Sequence, residues 1–331
     1  MTPTLDVLGI GNAIVDILAR TEEDFLASRH LAKGSMQLID ETAAEALYQG
    51  MGPTEEISGG SGANTIAGIA SLGGKAAFIG KVKEDHLGAR FIHDIRAAGV
   101  AFTTPPAKDG PATARSFILV TPDGERTMNT FLGACQALDE HDVDPALIEA
   151  AKITYLEGYL WDPPHAKAAF RKASAIARAK ERRVALTLSD AFCVERYREE
   201  FLDLLRSGAV DTLFANEHEL KALYTTADFN TALEALRKDA KLAAVTRSEK
   251  GCVIIEGMTT VEVPAAPVEQ VVDTTGAGDL FAAGFLYGLA HDLGHRRSGE
   301  LGGLAAAEVI SHLGARPLVS LKDIAKANRL L

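Results

Sequence analysis

Short apolar runs alternating with helix-spaced stretches constrain this chain more than any other feature. Runs of strand character fall at 5–10 (LDVLGI), 75–81 (KAAFIGK), 116–120 (SFILV), 153–158 (ITYLEG), 183–188 (RVALTL), 212–216 (TLFAN), 242–246 (LAAVT) and 252–257 (CVIIEG). Helical spacing occupies 62–72, 84–98, 165–181, 195–207, 231–240 and 277–290. Strands that read as near-continuous apolar runs are buried on both faces, and strand–helix–strand order joins them in parallel. The expectation is an α/β fold with a mostly parallel central sheet covered by helices on both sides. Regions 12–50 and 101–134 break this rhythm with turn signals, and TPDGERT (121–127), between SFILV and TMNTF, reads as a hairpin. These two regions are expected to form a small β-rich lid, leaving 1–11, 51–100 and 135–331 as the α/β body.

Composition narrows the function classes. A formal net charge of −11 argues against nucleic acid as a partner, though not against a locally bound anionic ligand. Cys135, Cys193 and Cys252 lie far apart, at no spacing that suits a disulfide framework or a zinc site. The opening MTPTLDVLGIG has no basic n-region and no long apolar core, and no apolar run in the chain reaches membrane-spanning length. The expected setting is the cytoplasm, with a small-molecule substrate, no membrane partner, and a monomer or homodimer as the assembly.

Four stretches carry polar groups where strands meet helices. In DTTGAGDLFAAGF (273–285), Gly276, Ala277 and Gly278 offer backbone N–H groups at a helix start, a natural anion site. Asp279 follows at once. A carboxylate repels a phosphate, so beside such a site it makes sense as a base that takes a proton from an attacking hydroxyl. The plainer reading is a helix-favouring acid in the first turn. In GGSGANTIAGIASLGG (59–74), Gly59 and Gly60 let a ligand lie against backbone, Ser61 is a candidate helix cap, and Asn64 faces the same side. The plainer reading is a glycine-rich helix entry. In NEHE (216–219), Asn216 and Glu219 are three apart and suit a hydrated Mg²⁺. They equally suit a helix cap with Glu at its third position. In VTRSEKG (245–251), Thr246, Ser248 and Gly251 form a turn that could meet a nucleotide or simply reverse the chain.

Three other stretches are imitations. GIGNAI (9–14) starts like a dinucleotide fingerprint, but Ile14 stands at the third glycine and Asp16 comes too soon. That also weakens a nicotinamide oxidoreductase as the alternative. GKAAFIGK (74–81) has the wrong spacing for a phosphate loop, with Val82 where Ser or Thr belongs. HDLGH (291–295) imitates a zinc-protease helix without its Glu.

Taken in order along the chain, these stretches resemble the ribokinase-like (PfkB) family of carbohydrate and nucleoside kinases. GGSGANTIAGIASLGG is similar to that family's N-terminal signature, DTTGAGDLFAAGF to its C-terminal signature, and NEHE to its Asn-x-x-Glu motif. The resemblance implies a three-layer α/β sandwich with a β lid over the acceptor, ATP as donor, Mg²⁺ as its companion and room for a monovalent cation. It implies Asp279 as the base, Gly276–Gly278 as the anion hole, and Asn216 and Glu219 at the Mg²⁺–phosphate region, largely through water. Ser248 stands where the family often has Gly, which touches the adenine and ribose contacts of that loop. Within the family, GNAIVDI (11–17) and KGSMQLID (33–40) look most like the adenosine kinase branch. There the aspartate matching Asp16 holds the ribose hydroxyls, helped by Asn12, Gly60 and Asn64. Met36, Leu38, Phe131 and Tyr159 offer apolar surface for a purine, or else are ordinary lid core. The expected reaction is phosphorylation of adenosine at its 5′-hydroxyl to AMP. The alternative is a sugar kinase acting on ribose, fructose or 2-keto-3-deoxygluconate. A binding protein without catalysis would be expected to lose Asp279 or the glycine turn, and both are intact.

Overall fold

In chain order the computed structural model, which describes residues 3–331, begins with β1 (Leu5–Ile10), β2 (Ile14–Arg20), α1 (Glu23–Ser28), β3 (Met36–Leu38), α2 (Glu41–Gly50) and β4 (Glu55–Gly59). It continues with α3 (Ser61–Ser71), β5 (Ala76–Ile79), α4 (His86–Ala97), β6 (Ala101–Phe102), β7 (Ala114–Val120), β8 (Arg126–Phe131), α5 (Pro145–Ala150) and β9 (Ala151–Glu157). Next come α6 (Pro164–Ala179), β10 (Arg183–Thr187), α7 (Ala191–Arg206), β11 (Thr212–Asn216), α8 (Glu217–Leu223), α9 (Phe229–Asp239) and β12 (Leu242–Thr246). The chain closes with β13 (Cys252–Glu256), β14 (Thr259–Val263), α10 (Ala277–Ala290), α11 (His295–Val309) and α12 (Leu321–Ala327). Residues 1 and 2, the start of the first expected body segment, lie outside the described residues.

The larger sheet has the order β14-β13-β12-β11-β10-β9-β1-β5-β6. It is parallel from β6 to β12, and only β13 and β14 at one edge run antiparallel. Alternate residues of each strand feed two separate cores. Val7, Phe78, Ile153 and Tyr155 pack with α3, α10 and α11 on one face, through Ile66, Phe285 and Leu301. Leu8, Ile10, Leu156 and Leu186 pack with α6, α7 and α8 on the other, through Phe170, Phe201 and Leu220. This is a three-layer α/β sandwich, and both faces being covered explains why the strands read as unbroken apolar runs.

The second sheet has the order β3-β8-β7-β2-β4. The Asp-Gly turn at 123–124 joins β7 and β8 as an antiparallel hairpin, as its sequence predicts. The small sheet reaches beyond 12–50 and 101–134, because β4 pairs antiparallel with β2 and leads straight into α3. Conversely β6, at 101–102, pairs with β5 in the large sheet. The two sheets are thus stitched together at both crossings. The three cysteines are free and buried, and among the described residues no helix is long and apolar enough to cross a membrane.

Candidate active site

Parallel strands present their C-terminal ends along one line, which is where open α/β sheets bind ligands. Gly11 and Asn12 follow β1, Glu157 ends β9, Asn216 ends β11 and Thr246 ends β12. The N-termini of α3 and α10 point into the same space, and Asp279 in the first turn of α10 stands where they meet. Its Oδ1 accepts a hydrogen bond from Ser61 Oγ at 2.6 Å and its Oδ2 one from Asn64 Nδ2 at 3.2 Å. Burial pushes the Asp279 carboxyl up to about 6, while those two hydrogen bonds and the charge of Arg316 pull it back down. The result is a carboxylate that is ionised at neutral pH yet basic enough to receive a proton.

The glycine turn holds this geometry. Gly276 is the N-cap of α10 at φ +81°, and a Cβ there would lie 2.8 Å from Ala315 Cα, so both its conformation and its surroundings demand glycine. Ala277 N–H donates to Thr274 O at 3.2 Å, a contact the sequence reading does not anticipate for a group assigned to an anion hole. Gly278 is exposed, and a Cβ on it would meet nothing within 4 Å, so it forms the open side of the turn.

Ser61 is not the helix cap that the sequence suggests. Gly60 holds that position at φ +93°, with no side-chain cap, and Ser61 turns its hydroxyl to Asp279 instead. A charge-assisted O–H···O⁻ bond outcompetes a neutral bond to a helix N–H. Gly60 sits so close to the Asn12 carbonyl that a Cβ would stand 2.3 Å from its oxygen, and a Cβ on Gly59 would stand 2.2 Å from Asp16 Oδ2. The double glycine therefore makes room for the Asp16 side chain and for the loop after β1. Asp16 is pushed up to about 7 by burial, against the pull of Arg316 and Arg126, with Asp279 adding to the rise.

Register along the small sheet sorts the proposed acceptor contacts. Asp16 pairs with Ser116, Ser116 with Thr130 and Thr130 with Leu38, so all four share one face, and Met36 lies on it two residues from Leu38. Met36 and Leu38 are about half exposed. Phe131 does not join them. It follows Thr130, so strand alternation turns it to the opposite face, where it pairs with Arg115 and packs into the core at 8% exposure. Tyr159 lies off the small sheet altogether, half-buried on the large-sheet side, where burial and then the charges of Asp190, Asp279 and Glu219 raise its hydroxyl.

Asn12 and Glu157 form a buried support. Glu157 Oε1 accepts from Asn12 Nδ2 at 2.8 Å, and its Oε2 accepts from Asn12 N at 3.1 Å and Gly62 N at 2.8 Å. It ties the loop after β1 to the first turn of α3, and burial pushes it up to about 7 despite those bonds. Asn12 thus spends its amide donor on scaffolding rather than on the acceptor side. Sequence reasoning missed Glu157, whose only signal is a carboxylate at the end of an apolar strand (ITYLEG). It also missed Arg316, which lies in the loop after α11 and in none of the motifs.

A cleft of about 820 Å³ opens from Asp279 along the strand ends. Its walls include Ala277, Gly278, Asn216, Glu219, Thr246, Ser248 and Gly251, with Phe281, Ala306 and Ile310 as apolar surface. Every residue expected at the nucleotide is therefore brought to one cleft. Ser248 takes φ +52°, so it adopts unaided the left-handed conformation that a glycine would supply there. Asn216 and Glu219 share a face as expected, but they are engaged with each other. Asn216 Oδ1 accepts from Glu219 N at 2.8 Å, while Glu219 accepts from Asn216 N at 3.0 Å and from its Nδ2. This is the complete capping box. Burial pushes Glu219 up to about 7, opposed by the Asn216 N–H and reinforced by Asp190. With both side chains occupied in this way, contact with a hydrated cation through its waters fits better than direct ligation. Among the described residues no cluster of three His, Cys, Asp or Glu could hold a metal, and His295 of the HDLGH stretch pairs with Glu256 instead. Among the described residues no lysine, arginine or histidine lines the cleft. A triphosphate would fit there with its charge met by backbone N–H groups and an accompanying divalent cation.

Comparison with known proteins agrees with this geometry. The family model for the pfkB family carbohydrate kinases matches residues 36–321. The solved structure of adenosine kinase from Sinorhizobium meliloti is 57% identical, with a TM-score of 0.92 over 98% of this chain and 99% of that one. A probable sugar kinase protein from Rhizobium etli CFN 42 is 53% identical, with a TM-score of 0.94 over 100% of both chains. Among curated proteins, adenosine kinase from Saccharomyces cerevisiae is 29% identical over 338 residues, which span 95% of this chain and 96% of that protein.

Proposed function

The chain belongs to the pfkB family of carbohydrate kinases, and from that premise we propose that it phosphorylates the 5′-hydroxyl of adenosine, giving AMP. It is an ATP-dependent kinase acting on a sugar or nucleoside. The observation that carries the chemistry is Asp279, hydrogen-bonded by Ser61 and Asn64 beside an open glycine turn at the mouth of the nucleotide cleft. In this reading Asp279 takes the proton of the acceptor hydroxyl as the new O–P bond forms and the bond to the leaving ADP breaks. Bound ATP with Mg²⁺ supplies the phosphoryl group and part of the neutralising charge. Gly278 and its neighbours hold the group in transit by backbone N–H donation. Glu219 and Asn216 meet the cation through water, and Thr246, Ser248 and Gly251 meet the nucleotide.

Adenosine is favoured over a small sugar by two observations. The relatives from Sinorhizobium meliloti and Saccharomyces cerevisiae are named adenosine kinases. Asp16, a double acceptor suited to vicinal hydroxyls, shares its sheet face with Met36 and Leu38, exposed apolar side chains on which a purine could lie. The second reading, a sugar kinase, draws on the Rhizobium etli relative and on Phe131 facing away, which removes one wall from the expected purine sandwich. The enzyme is proposed to act in the cytoplasm. The direct test is product identification. Adenosine and ATP with Mg²⁺ should yield AMP and ADP in equal amounts, and 5′-deoxyadenosine should yield neither. Phosphate on any other oxygen, or turnover of the 5′-deoxy compound, would rule the reading out.

A further inference from the structure

Arg316 belongs to no sequence motif, yet it reaches the centre of the site. Its loop, between α11 and α12, is fixed by its two preceding residues. Gly314 N donates to Asp273 Oδ2 at 3.1 Å, and Ala315 fills the space in front of Gly276, where a Cβ would come within 2.8 Å of Ala315 Cα. The next residue sends its guanidinium toward α3, where Nε donates to Asn64 Oδ1 at 3.2 Å. Asn64 in turn donates from Nδ2 to Asp279 Oδ2, also at 3.2 Å. A guanidinium has donors only, so the carbonyl end of the amide must face Arg316 and the NH₂ end must face Asp279. The alternative flip would set an amide NH₂ against Arg316 and a carbonyl oxygen against the carboxylate, two repulsive contacts in place of two attractive ones. Helices α3 and α10 are locked at this spacing, since a Cβ on Gly68 would meet Ala283 Cβ and Leu280 Cδ1 at 2.7 Å.

The charges around Asp279 give the arrangement a second consequence. Asp16 approaches from β2, Glu157 and Tyr155 from β9, and Tyr159 from the turn after it, all within electrostatic reach of Asp279. Asp94 on α4 lies within electrostatic reach of Arg316, and Arg126 on β8 faces Asp16 and Asp273. Of these groups Arg316 is the cation that acts on Asp279 itself. We propose that Arg316 is a positioning residue for phosphoryl transfer, orienting the Asn64 amide toward Asp279 and holding Asp279 ionised among neighbouring carboxylates. The proposal rests on the reading of Asp279 as the base, and it is independent of which acceptor that base serves.

The test is the pH dependence of kcat/KM for wild type, Arg316→Lys, Arg316→Gln and Asp279→Asn, with whichever acceptor the wild type turns over fastest. Thermal melts with and without nucleotide check that each variant is folded. In Arg316→Gln the acidic limb should move upward by about one pH unit, the lower end of what removing an opposite charge does, since Arg316 pulls Asp279 down less than its two hydrogen bonds do. The fold loss of activity should be greatest at and below pH 6 and largely disappear at alkaline pH. Arg316→Lys, which keeps a donor and the charge, should hold the limb near its wild-type position. An Arg316→Gln profile that is unshifted, or lowered equally at every pH, overturns the proposal. So does a folded Arg316→Lys whose limb rises by the shift expected for glutamine, a criterion that still decides the matter if Arg316→Gln does not fold. The Asp279→Asn arm separates the two levels. If that variant keeps its rate, the base assignment fails and this proposal with it, whereas a dead Asp279→Asn beside an unshifted Arg316→Gln removes the role of Arg316 alone.

Discussion

A single proton decides the chemistry at the residue scale. As the proposed base, Asp279 must be ionised to accept it, and burial pushes its carboxyl up to about 6. The sign follows directly: activity rises as pH climbs through about 6 and is lost as pH falls below it. A kcat/KM profile of the free enzyme should show that acidic limb, steepened by Asp16, which burial pushes up to about 7 and which the acceptor is proposed to need ionised. Asp279→Asn should lower the rate by a factor on the order of 10²–10⁴, the usual cost of losing a general base, without changing the thermal melt by more than a few degrees. A folded variant with most of its kcat would remove Asp279 from the mechanism. Asp16 is tested separately. Asp16→Ala should reduce kcat/KM for adenosine by roughly 1–3 kcal/mol for each hydroxyl left without its partner. If 2′- and 3′-deoxy analogues lose as much in the variant as in wild type, Asp16 does not hold those hydroxyls.

Capping and polar contact overlap at the scale of elements, and α8 is the clearest case. Its capping box uses the same Asn216 and Glu219 that are proposed to meet hydrated Mg²⁺. Glu219→Gln removes charge but keeps a carbonyl acceptor for the cap. The variant should stay folded and need several-fold more free Mg²⁺ for half-maximal rate, and activity titrated against free Mg²⁺ reads this directly. Superimposable curves would make Glu219 a helix-start residue only. The elements also show what a sequence can announce. The buried parallel strands were legible because both faces are covered, as with Leu8 and Val7 on opposite sides of β1. The glycine turn and Asp279 were legible because few physical settings call for such a run. Helix α11, rich in Gly and Ala, has no strong apolar stripe to announce it. Ser61 was misread as a cap because only the fold brings a carboxylate to its hydroxyl. The face that Phe131 occupies follows from strand alternation, but only once β8 is known to span Arg126–Phe131. Glu157 and Arg316 act through partners more than 90 residues away, which no local pattern encodes.

At the scale of the whole molecule, the proposed site is divided between two sheets. Asp16, Met36 and Leu38 lie on the small one, and the cleft proposed to take the nucleotide opens from Asp279 of α10 along the strand ends of the large one. Phosphoryl transfer to an alcohol competes with transfer to water, so the small sheet is proposed to close over the acceptor before reaction. Amide hydrogen exchange in 12–50 and 101–134 should slow when acceptor binds, and the outer strand β4 should follow because it pairs with β2. Unchanged exchange throughout these segments would mean that the small sheet is a fixed wall. The central claim concerns which acceptor this divided site serves. It is tested most directly by kcat/KM, measured by coupled ADP release with ATP and Mg²⁺, for adenosine, other nucleosides, ribose, fructose and 2-keto-3-deoxygluconate. Adenosine should exceed every sugar by at least about tenfold, since burying a purine on Met36 and Leu38 adds more than 1.4 kcal/mol of apolar contact that a free sugar lacks. A higher kcat/KM for ribose, fructose or the keto-deoxy acid would leave the kinase standing and contradict its assignment to adenosine.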